Sequence, residues 1–226
     1  MNARRGFRLV CRLGAPAAWL AAATPLAAQV AGQATGVVAM AERRVDAGNG
    51  VEQSSGMLVG GEGRLVVGSR FELFVHAAGG KLNADSASAD DADFGEVLAR
   101  ASVVTVPWLA LDAGVSSRAF ATSLVRQRWT ALRLGGELRL AFVGGVVTGV
   151  LRGEILPSVT VSGLAKPSRA YAAGAGLDYR IGVFALGLRY EFERYDFPVA
   201  AGFARRDQLS TLIANAGIAL GRIPAP

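Results

Sequence analysis

The sequence predicts an all-β protein, a closed antiparallel up-and-down barrel of ten strands whose apolar side faces outward, and three observations carry this. From Phe184 to Glu193 apolar and polar residues alternate, with Phe184, Leu186, Leu188, Tyr190 and Phe192 on one parity and Arg189, Glu191 and Glu193 on the other. Successive side chains of a strand point to opposite faces, so this is a ribbon with one greasy and one charged side. The same alternation recurs along the chain and breaks briefly around Gly68 and Ser69, Val106 to Trp108, Val143 to Gly145 and Arg180 to Gly182, at centre-to-centre intervals of 36 to 39 residues. Finally, the polar parity carries both signs of charge on nearly every strand. A face of Leu, Phe and Tyr opposite a face of Arg and Glu suits a barrel standing in lipid.

Taken in order, the predicted strands begin with 36–46, whose polar parity is assigned to Glu42 and Arg44. Strand 54–67 turns Leu65 and Val67 outward and Glu62 and Arg64 inward; strand 70–81 turns Phe71, Leu73 and Val75 outward and Glu72 and His76 inward. In 95–106 the pairs are Val97 and Val103 against Glu96 and Arg100, and in 109–120 they are Leu109 and Leu111 against Asp112 and Arg118. Strand 129–142 sets Leu132, Leu134, Leu138 and Leu140 against Arg133, Glu137 and Arg139. Strand 145–156 sets Leu151 and Ile155 against Arg152 and Glu154. Strand 169–180 places Tyr171, Leu177 and Tyr179 outside and Asp178 and Arg180 inside; 183–195 follows, and 208–221 closes the set with Leu212, Ile218 and Leu220 opposite Asn215. An even count lets the first and last strands pair, leaving no open edge in lipid; eight strands is the alternative.

Residues 1–28 read as an export signal. Arg4, Arg5, Arg8 and Arg12 precede an apolar run from Leu13 to Leu26, and Ala27 and Ala28 supply a small-residue cleavage site. The run is broken by Pro16 and Pro25 and is too short to span a bilayer as a helix. The remaining 29–226 form one barrel domain. The chain has 24 Lys and Arg against 18 Asp and Glu, but the four arginines of the signal account for most of the excess, leaving 20 against 18. The basic balance is therefore a targeting feature and gives no support for nucleic acid as a partner. Cys11 is the only cysteine and lies in the signal, so disulfides drop out.

Aromatic residues gather where lipid meets water. Phe71, Phe142, Tyr179 and Phe184 lie near short turns and Trp108 within one, while Tyr171, Tyr190, Phe192 and Trp129 fall toward the longer loops, predicting two interfacial girdles. Short turns on the periplasmic side and longer loops outside put both termini in the periplasm.

On this architecture the chain resembles the bacterial outer-membrane β-barrel proteins, in the broad sense that includes OmpA-like and OmpW-like barrels. The resemblance implies the outer membrane as location, membrane lipid and lipopolysaccharide as partners, and the barrel-assembly machinery as partner during biogenesis. The last strand departs from that pattern: after Leu220 the chain runs on to Pro226 without a terminal aromatic residue. A soluble lipocalin-like barrel with inverted faces is the competing architecture.

The chemistry-bearing candidates are few. His76, the sole histidine, lies near Glu72 on the inward parity, and no Ser, His and acid set has a recognisable motif, so neither catalytic residue, metal nor cofactor is expected. The acidic segment 83–93 lacks the spacing of an EF-hand loop and reads as a solvated loop. Arg43, Arg194, Arg205 and Arg206 are placed at the outer rim, where guanidinium groups suit lipopolysaccharide phosphates. Charges in a narrow lumen must pair or be hydrated. The expected function is a non-enzymatic, structural or surface-interaction barrel with a largely plugged lumen. A narrow pore for small polar solutes is the alternative, and an outer-membrane protease or lipid-modifying enzyme the third reading.

Overall fold

The structure, a computed structural model, describes residues 30–48, 50–85, 90–200 and 202–221. The expected signal peptide and the end of the C-terminal tail lie outside the described residues. Ten antiparallel strands follow one another: β1 (Val30–Asp46), β2 (Val51–Val67), β3 (Phe71–Ala84), β4 (Ala92–Val106), β5 (Leu109–Ala121), β6 (Arg126–Phe142), β7 (Val147–Val161), β8 (Arg169–Ile181), β9 (Phe184–Asp196) and β10 (Arg206–Leu220). Each pairs with its sequence neighbours, and β1 pairs with β10 from Gly32 opposite Leu220 to Asp46 opposite Arg206, so the sheet is a closed barrel. No described helix is long and apolar enough to cross a membrane, which is silent about strands.

Turns at one end are short. Gly68 and Gly182 take positive φ there, at 65° and 57°, where a side chain would be strained. At the other end the connections are 47–50, 85–91, 122–125, 162–168 and 197–205, shorter than expected because most strands continue further toward this end than their alternation suggests. In β7 the continuation passes through a register shift against β6, between Leu132 and Leu134, and Pro157 sits at this irregularity. A bulge is one of the few places a strand tolerates proline, and the extra residue switches the inward parity from Glu154 and Leu156 to Val159 and Val161.

The outward face is apolar, with Met40, Met57, Phe71, Val97, Ile155, Leu186 and Leu212 all exposed, whereas Arg100, Arg133, Glu137, Glu154 and Glu193 are buried within the ring of strands. The inverted, lipocalin-like arrangement is thereby overturned. The inward glycines have mostly one cause. A Cβ on Gly60, Gly80, Gly135 or Gly217 would lie 2.0–2.3 Å from a carbonyl oxygen of the neighbouring strand. These glycines let strands approach closely where the barrel curves. Gly176, beside the Arg189 side chain, and Gly187, beside Asn215 and Asp178, also make room for polar side chains, as Gly135 does for Glu154.

Gly217→Ala, with its Cβ 2.0 Å from the Ala34 carbonyl oxygen, is expected to cost about 1–3 kcal/mol or more of folding stability. Gly153→Ala, whose Cβ would meet nothing within 4 Å, is the control that should leave stability unchanged. Urea unfolding of the refolded barrel in lipid vesicles, followed by gel shift, measures both.

Candidate functional site

Among the described residues the chemistry-bearing side chains converge in the lumen, and the strands deliver them there because charge and bulk alternate at period two. Three ionic assemblies cross it. In the first, Arg118 on β5 donates to Glu96 on β4 at 2.5 Å and to Glu193 on β9 at 2.7 Å. Glu193 also accepts from Arg133 on β6 at 2.6 Å and from the Tyr195 hydroxyl at 2.5 Å. Arg133 continues as a fork onto Glu154 of β7, through Nε at 2.7 Å and Nη2 at 2.6 Å, and Arg100 of β4 stands 2.8 Å from the other oxygen of Glu154. The chain thus runs from β4 across the lumen and back to β4.

The second assembly joins β3 to β6 and β7. Arg139 forks onto Glu72, with one arm at 2.7 Å, and donates Nε to Glu137 at 2.6 Å. Arg64 reaches Glu72 at 3.1 Å, and Arg152 pairs with Glu137. The third centres on Glu62, which accepts from Arg189 across the lumen and from Asn215 at 3.0 Å. His76 Nδ1 lies 3.1 Å from the same carboxylate, and its Nε2 faces Glu96 at 3.8 Å. Phe74, between the guanidinium groups of Arg100 and Arg189 at 5.5 and 5.7 Å, is the apolar filler at this level.

Most of the residues assigned inward by parity therefore come together. Glu191 stands 3.9 Å from Arg152, Arg180 donates to Gln33 near the short turns, and Asp178 lines the same space. Asp112 is 3.7 Å from Arg100, and neither of its oxygens has a hydrogen-bond partner. Glu42 and Arg44 are a correction: both are exposed on the outer face of β1, because the inward parity of that strand is set by Thr35, Val37, Ala39, Ala41 and Val45. The same phase carries Arg43 inside, where it forks onto Asp207 at 2.6 and 3.1 Å and donates to Gln127. Arg205 also turns to Asp207, at 3.4 Å, while Arg194 and Arg206 share Asp196.

A second layer was not foreseen. Phe94, Phe120, Trp129, Tyr195 and Phe197 pack inside the barrel at the loop end, Trp129 lying 4.9 Å from Tyr195, 5.9 Å from Phe197 and 6.3 Å from Phe120 by ring centroids. Arg43 stacks 3.9 Å over Phe120. Trp129, expected in the lipid interface, is buried in this plug. Its parity is that of Arg133, and the same holds for Phe120 with Arg118 and Phe94 with Glu96, so the signal was present. The other interfacial aromatics lie outward or at turns: Phe71, Trp108, Phe142, Tyr179, Phe184 and Tyr190 are exposed, and Tyr171 and Phe192 contact each other on the outer face.

Below the plug the remaining space is small. A cavity of about 40 Å³ opens among Glu62, Arg64, Glu72, Arg100, Glu137 and Arg189, room for about three waters at roughly 10–15 Å³ each. Among the described residues no group of three or more His, Cys, Asp or Glu side chains is placed to hold a metal. In the acidic loop, Asp91 accepts from Lys81 at 2.7 Å and from the Ala84 amide at 3.0 Å. These bonds hold its carboxyl below the usual range. Asp90 accepts from Ser123.

No protein-family model matches this sequence, and no curated protein sequence matches it. The barrel is similar to the outer membrane protease OmpT from Escherichia coli, with a TM-score of 0.53 at 9% identity over 85% of this chain and 96% of that one. The β domain of the Bordetella autotransporter BrkA gives a TM-score of 0.47 at 14% identity over 82% and 98% of the two chains. Ail of Yersinia pestis gives 0.33 at 13% identity over 84% and 99%. The first of these likenesses shows an outer-membrane-type barrel fold and nothing finer.

Glu193 accepts from two buried arginines and a buried tyrosine, so Glu193→Gln removes the one charge that Arg118 and Arg133 share and leaves each with a single carboxylate partner. It is expected to destabilise the barrel by about 3–5 kcal/mol. Trp129→Ala, which opens the plug, should cost a similar 3–5 kcal/mol or so. Guanidinium unfolding in lipid vesicles with circular dichroism readout would contradict the network if Glu193→Gln unfolded like the wild type.

Proposed function

We propose that this chain is a closed, non-enzymatic barrel of the bacterial outer membrane, with a structural and surface-interaction role and both termini on the periplasmic side. The observation that carries this reading is the double seal of the lumen: ionic chains bridging opposite walls, capped at the loop end by the aromatic plug around Trp129. A charge removed from water is tolerated only when paired, so these chains hold one another in place. Outer-membrane location is supported by the apolar outer wall and the outer-membrane-type fold; outer-membrane lipid, lipopolysaccharide and, during biogenesis, the assembly machinery are the partners this location entails.

Against an enzymatic role stands the seat of His76, buried between Glu62 and Glu96 beneath the plug, where no substrate chain reaches. A narrow pore is the second reading. It is favoured by the small cavity on the turn side and by the unpartnered oxygens of Asp112, which call for water.

Planar-bilayer recording separates the two. The wild-type chain should show no single-channel steps, whereas Arg133→Ala combined with Trp129→Ala removes one tie from each layer and should conduct. Steps from the wild type would overturn the closed reading, and identical gel migration of boiled and unboiled protein would overturn the membrane barrel itself.

A further inference from the structure

Arg126 and Arg128 occupy successive outward positions of β6 at the loop end, opposite Ala121 and Ala119 of β5. Of the other outward cations at this rim, Lys81 is paired with Asp91, and Arg194 and Arg206 with Asp196, while Arg44 of β1 and Arg169 of β8 each stand singly on their own strand. Among the described residues no carboxylate pairs with Arg126 or Arg128. Two like charges about 7 Å apart on one rigid strand face repel each other and are best relieved by a multivalent anion.

The wall beside them is hollowed. Register places Val59, Gly79, Gly95, Ala119 and Arg128 in one row across β2 to β6. A shallow, open groove follows this row, lined by Val59, Ala77, Gly95, Val97 and Ala119 with the two arginines on its rim. A Cβ on Gly95 would meet nothing within 4 Å, so the space is open. Thr130 and Ser117 add hydroxyl donors beside the arginines. The groove is continuous with the exposed apolar belt of Leu132, Leu134, Val75 and Val115, the surface that lipid chains must cover.

We propose that this face binds the phosphorylated acyl-glycan of the outer leaflet, lipopolysaccharide, with a phosphate held by Arg126 and Arg128 and an acyl chain lying in the groove. The inference rests on the reading of the chain as an outer-membrane barrel with its loop end outward, and it moves the lipopolysaccharide contact away from Arg43, Arg194, Arg205 and Arg206. Guanidinium forks match phosphate oxygens, and the neighbouring groove supplies the apolar half that a free phosphate or an acidic peptide would leave empty.

The full mature chain in phosphatidylcholine nanodiscs is titrated with bis-phosphorylated lipid A, dephosphorylated lipid A and phosphatidylglycerol, with heat-dependent gel shift confirming a folded barrel in every sample. Arg126→Ala with Arg128→Ala should weaken lipid A binding about tenfold, as loss of two exposed charge-assisted contacts allows. Arg194→Ala with Arg206→Ala should stay within about twofold, since those groups already share Asp196. Removing the phosphates should lower wild-type affinity to that of the Arg126 and Arg128 variant. Ala119→Trp, which fills the groove and spares both charges, should weaken binding as well. A folded wild type that binds lipid A no better than dephosphorylated lipid A or phosphatidylglycerol, or a double variant that binds like the wild type, overturns the site while leaving the barrel reading intact. Absence of the gel shift in the wild type overturns the barrel reading instead.

Discussion

Everything in this molecule depends on the closure of β1 onto β10. In hydrocarbon an unpaired amide or carbonyl costs several kcal/mol, so a sheet is admissible there only when it has no edge. Here the closing pair runs fifteen residues deep, from Gly32 opposite Leu220 to Asp46 opposite Arg206. Closing ten strands forces tight curvature, and curvature brings backbones together at Gly60, Gly135 and Gly217, where no larger residue fits. The same circumference fixes the lumen at a width that long arginine and glutamate side chains can bridge from wall to wall.

Once bridged, the lumen acts on the fold in return. Buried ion pairs are weak evidence for stability, because desolvation cancels much of their attraction. Their effect is on register. A slip of one residue between two strands exchanges inner and outer faces, and here it would send Arg133 and Glu137 into lipid while pulling Leu132 and Leu138 inside. The arrangement in which Arg118, Arg133, Glu154 and Glu193 are linked exists for one alignment of β5, β6, β7 and β9. The plug around Trp129 strengthens this selection by keeping water from the uppermost layer, where Tyr195 belongs to the aromatic cluster and to the carboxylate of Glu193 at once.

Most of this was legible in the alternation, since strand number, strand order and the facing of β2 to β10 follow from period two. It failed where the period was silent or overridden. Glu42, Arg43 and Arg44 are three consecutive charges and carry no parity, so the phase of β1 is set by its small residues, Thr35 to Ala41, packing inward. Trp129 lies near the loop end like the interfacial aromatics, but its parity is that of Arg133, and parity decides its place inside. The role of the glycines was not legible, because the approach of a neighbouring backbone depends on register and curvature, which a single strand's sequence does not express. Pro157 marked the end of a strand in the sequence, yet a bulge absorbs it and the strand continues to Val161.

If the interior is sealed as proposed, recognition falls to the outer wall, which is built largely of sheet. β6 has 17 residues; at about 3.3 Å each and tilted near 40° it rises roughly 40 Å, well beyond an apolar band of about 25 Å. The wall above the lipid is therefore made of sheet, with connections as short as 47–50 and 122–125. The backbone of such a wall loses little further freedom on binding, so the ordering cost falls on the side chains alone. Arg126 and Arg128 are held at a strand spacing that no loop motion alters, beside a groove that opens directly into the lipid-covered belt. A rim built in this way favours a partner already present in the membrane over one that must be captured from solution.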